Sequence, residues 1–283
     1  MYRFIFLLYL FTLSVSLYPI AVFHGITDGC DYKNTSSLVE SLKRDLGVHV
    51  ECIEIGNGFW DTILKSIDFQ VEEACKNINA NPNFQSDFAI LGISQGTLIG
   101  RYIIEKCQMT GRVKQYLSLD GPQMGVGMIS KLTCGSFCDW LCKLAAPLLY
   151  KLKDKIGPAG YFRYRYDQQY YMEHNTFLKM LNNENDEKDP EIYNRFSSLE
   201  KVRFIKSAQD TVIIPKDSSW FSFYDFDGND IVPLEQSKIY QEDWIGLKKL
   251  NEEGKISFYE FKEEHVLYTL DEYFEGIVAF FKE

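Results

Sequence analysis

Apolar residues gather in short stretches, separated by segments with helical spacing. Ile20-Ala21-Val22-Phe23 is apolar throughout and predicts a buried strand, which His24-Gly25 ends. Val48 to Ile55, Phe88 to Leu91, Val113 to Leu119, Val202 to Ile205 and Ile256 to Phe261 predict five more. Phe88 to Leu91 is continuous and apolar, as suits a central parallel strand covered on both faces. Between them, Leu38, Val39, Leu42 and Leu46 mark one face of a helix, for which Ser37 and Glu40 have capping-box spacing. Ile63, Leu64, Ile67, Val71, Cys75 and Ile78 predict one long amphipathic helix. Leu98, Ile99, Tyr102, Ile103 and Cys107 mark the helix after the third strand, and Leu267 to Phe281 predicts a closing helix. The alternation predicts an α/β fold with a mainly parallel central sheet flanked by helices.

The rhythm breaks between Gly121 and Glu200. This stretch holds three cysteines, Trp140 and a tyrosine-rich run from Tyr161 to Tyr171. It reads as a mostly helical insertion, at about 122–200, over the carboxyl edge of the sheet, within one domain spanning 17–283. The polar, acidic run Asn182 to Pro190 reads as a solvated loop.

Residues 1–16 have a different character. Arg3 precedes a nearly unbroken apolar run from Phe4 to Leu13, and Ser14-Val15-Ser16 follows. That pattern predicts a secretory signal peptide cleaved after Ser16. The run is short for a membrane span, and no other run approaches one. The secretory route is oxidising, which suits seven cysteines: Cys30, Cys52, Cys75, Cys107, Cys134, Cys138 and Cys142. Their odd number leaves at least one free or paired between chains. No histidine is spaced to complete a zinc site. Asn34-Thr35-Ser36 is a glycosylation sequon and predicts an exposed loop. A net charge of -10 argues against a nucleic-acid or anionic-membrane partner, since either needs a basic patch.

Gly92-Ile93-Ser94-Gln95-Gly96 matches G-x-S-x-G between an apolar strand and an amphipathic helix, the context of a nucleophile elbow. Such a turn strains the serine and needs small residues on either side. It presents an exposed Oγ at a helix N-terminus, where developing negative charge is favoured. A serine hydroxyl needs a base, and in this fold the order is Ser, acid, His. Of four histidines, His24 and His49 precede Ser94 and His174 lies in the insertion, so elimination leaves His265, just after the last strand. The acid stays open on position alone. Asp210 follows the fifth strand and is favoured, while Asp120 ends the fourth, where some hydrolases carry it. Asp217, Asp225, Asp227 and Asp230 read as surface carboxylates. Two backbone N–H groups are needed for an oxyanion: Gln95 supplies one, and Ile26, in the turn His24-Gly25-Ile26, the other.

With these residues placed, the chain resembles the palmitoyl-protein thioesterases from about Tyr18 to its end. The resemblance rests on His24-Gly-Ile-Thr-Asp28, Leu91-Gly-Ile-Ser-Gln-Gly96, Gly121-Pro-Gln-Met-Gly125, Asp210-Thr-Val-Ile-Ile-Pro215 and Pro233-Leu-Glu-Gln-Ser-Lys-Ile-Tyr240. It implies an α/β-hydrolase fold and a triad of Ser94, Asp210 and His265, which raises Asp210 above Asp120. It also implies an oxyanion hole from Ile26 and Gln95, a lysosomal site of action, and long-chain acyl groups in thioester linkage to cysteine as substrate. No metal or organic cofactor is implied. Within the family the chain looks nearer the branch acting on palmitoylated proteins than the branch favouring shorter acyl-CoA. By the family's pattern Cys75 pairs with Cys107, and Cys134 with Cys138 or Cys142; Cys30 and Cys52 stay unassigned. The family's Tyr-Trp-His-Asp-Pro run is replaced by Tyr161-Phe-Arg-Tyr-Arg165, which bears on chain length. Rival readings are an oxygen-ester lipase on the same triad and a lipid carrier that keeps the fold without turnover.

Overall fold

The structure is a computed structural model that describes residues 17–128 and 138–282. The leader and Cys134 lie outside the described residues, as do the side chains of Cys138 and Cys142.

All six sequence-predicted strands form one sheet: β1 (Ile20–Phe23), β2 (Val50–Cys52), β3 (Asp87–Ile93), β4 (Arg112–Leu119), β5 (Lys201–Ser207) and, last in the chain, β8 (Ile256–Phe261). They are ordered β2-β1-β3-β4-β5-β8, and every pair is parallel. β2 is shorter than the expected strand Val48 to Ile55 because it is an edge strand whose one neighbour, β1, has only four residues. A two-stranded ladder of β6 (Phe223–Tyr224) and β7 (Ile231–Val232) escaped the sequence reading, being too short to show periodicity. The strand order turns back between β1 and β3, and such a switch point opens a crevice at the carboxyl ends of the strands. His24 and Ser94 follow those two ends directly.

Both sheet faces are packed. Phe23, Ile90, Tyr116 and Phe204 point to one side, and Val22, Leu91, Leu117 and Ile205 to the other. Helix α1 (Lys33–Leu46) and the C-terminal helix (Leu270–Glu272, a π-helical stretch Tyr273–Val278, then Ala279–Lys282) cover the second face. Helices α3 (Ile67–Ala80) and α4 (Gln95–Glu105) lie on the first, and the short α2 (Phe59–Leu64) precedes α3.

Three helix boundaries differ from expectation, each through local hydrogen bonding. α1 starts at Lys33, so Ser37 lies inside it and Ser37 with Glu40 makes no capping box. The Thr35 hydroxyl donates to Asp28 Oδ2 at 2.6 Å, which ties the first turn to the loop after β1. Asn34 therefore sits exposed on a helix turn rather than in a loop. The long amphipathic helix is two helices: Lys65 is extended, and Ser66 caps α3 by accepting from the Phe69 N–H. The C-terminal helix begins at Leu270, where Thr269 and Glu272 form the capping box that Ser37 and Glu40 do not.

The described part of the insertion is helical: α5 (Cys138–Lys151), α6 (Gln168–His174), α7 (Phe177–Leu181) and α8 (Pro190–Phe196), with a 3₁₀ turn at Gly157–Tyr161. One buried cation anchors it. Arg101 of α4 is fully buried and donates to Glu105, to Asn182 Oδ1 and to the Leu181 carbonyl, each at 2.8 Å. Its guanidinium also faces the rings of Phe196 and Phe221. The run from Asn182 is thus not simply solvated, since Asn182, Asn183 and Glu184 are buried.

Two outcomes follow from this packing. A Cβ on Gly96 would lie 2.2 Å from the Phe23 carbonyl oxygen and 2.5 Å from that of His24. Backbone cannot yield as a flexible side chain does, so Gly96→Ala is expected to destabilise by roughly 3 kcal/mol, read as a lowered midpoint in urea. Burial pushes the Glu105 carboxyl up to about 7, despite the neighbouring Arg101. A carboxyl raised on folding contributes stability that is complete below its unfolded value, about 4.3, and lost as pH rises through the folded one. The Tm of the wild type relative to Glu105→Gln should therefore fall between about pH 5 and about pH 7.5. A flat difference would rule this out.

Candidate active site

The turn between β3 and α4 holds Ser94 at φ 50° and ψ −120°. That left-handed backbone is costly for any residue with a Cβ. It is held from three sides. The Ser94 N–H donates to the Leu119 carbonyl at 2.8 Å, the Thr97 N–H and hydroxyl donate back to the Ser94 carbonyl, and a Cβ on Gly92 would strike Thr97 Cα at 2.5 Å. Ser94 is only 5% exposed, so its hydroxyl lies under cover rather than open to solvent as the motif implied.

Ser94 Oγ lies 2.9 Å from His265 Nε2, and His265 Nδ1 lies 2.7 Å from Asp210 Oδ2. A carboxylate only accepts, so Asp210 fixes the ring proton on Nδ1 and leaves the Nε2 lone pair toward the serine hydroxyl. Asp210 is itself oriented, its Oδ1 accepting from the Val212 and Ile213 N–H groups at 2.7 and 2.9 Å. The three residues come from the loops after β3, β5 and β8, spread over 171 positions of sequence.

The other candidates make no hydrogen bond to Ser94 Oγ or to the His265 ring. Asp120 makes no hydrogen bond to the His265 ring; it accepts instead from Ser207 and from the Val266 N–H. His174 stacks on Tyr170 in α6, and His49 bonds Glu51. His24 is buried beneath the first loop, with Nε2 2.9 Å from Glu54 Oε1. Burial raises the Glu54 carboxyl, but His24 and the Cys30 and Ile55 N–H groups outweigh it and hold it below its usual range. Glu54 thus pins the His24-Gly25-Ile26 turn. Sequence reasoning missed this partner, because thirty residues separate the pair and no motif joins them.

Gly25 packs against the serine: a Cβ there would come within 3.2 Å of Ser94 Cβ, and Ile26 follows at once. Gln95 is the first residue of α4, so its N–H has no partner within the helix. Its side chain is fully engaged. Nε2 donates to Gln70 Oε1 at 2.7 Å and to the Thr62 carbonyl, while Oε1 accepts from the Tyr161 hydroxyl at 2.8 Å. The insertion therefore touches the residue next to the serine.

A cleft of about 440 Å³ opens between α1 and the segment after His265; Ile93 and Val266, the neighbours of Ser94 and His265, line it, but Ser94, Asp210 and His265 do not. Leu38, Ile93, Leu119, Val266 and Tyr273 line it, with Asn34 and Arg44 also along its wall. Among the described residues, two clusters have the composition of a metal site. In one, His24, Cys30 and Glu54, the sulfur is committed to a disulfide with Cys52; in the other, Asp120, Asp210 and His265, both ring nitrogens are hydrogen-bonded. Cys75 pairs with Cys107, as the resemblance implied, and joins α3 to the end of α4.

The family described as palmitoyl protein thioesterase matches residues 19–265. Palmitoyl-protein thioesterase 3 of Dictyostelium discoideum is 32% identical over 259 residues, covering 90% of this chain and 87% of its own. A lysosomal thioesterase homolog of Drosophila melanogaster is 29% identical over 249 residues, covering 87% and 84%. Among solved structures, carboxyl esterase 2 of Tuber melanosporum has a TM-score of 0.52 at 11% identity, covering 95% of this chain and 76% of that one, which speaks for the fold alone. With a match running from the first strand to His265, the chain belongs to the palmitoyl protein thioesterase family.

Proposed function

We propose that the chain hydrolyses long-chain fatty acyl thioesters on the cysteines of proteins, through an acyl-enzyme on Ser94. The observation that carries this is the unbroken series from Ser94 Oγ to His265 to Asp210, at 2.9 and 2.7 Å. His265 takes the hydroxyl proton as Ser94 attacks the acyl carbonyl, and Asp210 keeps the ring oriented and stabilises its charged form. The Ile26 and Gln95 amides hold the oxyanion. The cysteine thiol then leaves, protonated by His265; its pKa of about 8.5 makes it a far better leaving group than an alcohol. Water, deprotonated by His265, attacks the acyl-serine and frees the fatty acid.

Its partners are S-acylated proteins or peptides. Action in the secretory pathway, at the lysosome or outside the cell, is supported by the two disulfides and by the lysosomal name of a relative. The exposed Asn34 suits a glycan.

A fluorophosphonate probe should label Ser94 in the wild-type chain and leave Ser94→Ala unlabelled. Asp210→Asn is expected to lower kcat by roughly 10⁴-fold. A palmitoyl-cysteine peptide should be cleaved in strong preference to a palmitate oxygen ester. An unlabelled Ser94 would defeat the enzyme reading and leave a lipid carrier. A preference for the oxygen ester would replace thioesterase with lipase.

A further inference from the structure

The turn that presents His265 is strained and has an external support. Val266, the next residue, has φ 54°. For a β-branched side chain this is a genuine outlier, because Cβ crowds the following carbonyl. The Val266 N–H donates to Asp120 Oδ2 at 2.6 Å. The same carboxylate accepts from the Ser207 hydroxyl at 2.7 Å and, through Oδ1, from the Ser207 N–H at 2.6 Å. Asp120 is fully buried and itself sits at φ 48°. One carboxylate thus joins the ends of β4 and β5 to the loop after β8, the loop that carries the base.

We infer that Asp120 is a positioning residue for His265: it holds the strained Val266 turn in place and sets a second negative charge behind the imidazole. The inference rests on the triad reading of Ser94, Asp210 and His265. Two observations carry it beyond general packing. All three groups bonded to Asp120 are donors, so an ionised carboxylate satisfies every one, whereas an amide of the same shape must turn a donor toward a donor. And atoms of Asp120, Asp210 and His265 lie within 4.8 Å of one another, close enough for a second carboxylate to act on the ring. The charged groups that act on Asp120 are His265 and Asp210; burial pushes its carboxyl up to about 6, against the pull of His265 and the Val266 N–H.

The test uses the full chain with a palmitoyl-cysteine peptide and a fluorophosphonate probe. Asp120→Asn should lower kcat by roughly tenfold to a hundredfold, the loss expected when a base is displaced by a fraction of an ångström to one ångström. KM should stay within about twofold, because no substrate contact is removed. The rate of Ser94 labelling should fall in parallel. The acidic limb of the kcat/KM profile should move to lower pH by roughly half a unit to one unit, since removing a negative charge disfavours the protonated base. A merely structural residue would lower Tm and the yield of active protein while leaving that limb in place, and this outcome would overturn the inference, as would an unchanged kcat. Should Asp120→Asn give no folded protein, Ser207→Ala decides. It removes one of the three donors and leaves the carboxylate, and kcat is expected to fall about threefold at constant KM; an unchanged kcat would overturn the assignment. An unlabelled Ser94 in the wild type would defeat the triad reading itself. A labelled wild type matched by Asp120→Asn would defeat only the role of Asp120.

Discussion

The start of α4 lies so close to the end of β1 that a single added carbon at Gly96 would meet two carbonyl oxygens. This backbone contact governs the rest of the site. It sets the sharp turn that holds Ser94 at a positive φ, and brings the loop after β1 against the serine, so that Gly25 and then Ile26 come alongside it. It also falls at the place where the strand order turns back, where the parallel sheet leaves its crevice. A strained serine can persist only where its surroundings over-determine it. Here the hydrogen bonds from Thr97 and to Leu119 supply that constraint.

Around the turn, fixed polar groups are held by buried and half-buried networks. Arg101 ties α4 to α7. The Gln70–Gln95–Tyr161 chain ties α3 and the insertion to the first turn of α4. The His24–Glu54 pair fixes the first loop. Each network joins elements far apart in sequence, and two of them include residues of the insertion. Buried polar groups in a medium of low dielectric demand full pairing, which is what gives such networks their power to select one arrangement.

Two carboxylates stand near the imidazole, and geometry separates their parts. The loop after β5 folds back so that the Val212 and Ile213 N–H groups turn Asp210 toward Nδ1. Asp120 ends β4 one strand nearer Ser94, and its oxygens are taken by Ser207 and Val266. Which acid meets the ring is decided by the direction each loop takes on leaving the sheet, not by which strand carries it.

Much of this was legible in the chain itself. Six stretches rich in apolar residues marked the six strands, and two of them, Ile20 to Phe23 and Phe88 to Leu91, are apolar throughout, as suits parallel strands buried on both faces. The G-x-S-x-G turn marked Ser94, and chain order with elimination marked His265, since chemistry restricts the residue types and the fold restricts their order. What depends on three dimensions was not legible. Periodicity ran through Lys65 and Ser66, but capping by Ser66 split the helix there. Ser37 and Glu40 had the spacing of a capping box, yet the bond from Thr35 to Asp28 began the helix earlier. From position alone Asp120 and Asp210 both remained open, and family likeness rather than spacing favoured Asp210. The partners of His24, Gln95 and Val266 lie 30, 25 and 146 residues away along the chain. A sequence determines which residues can bond and where strands and helices can form; the packing of loops at the edge of the sheet decides which of those bonds are made.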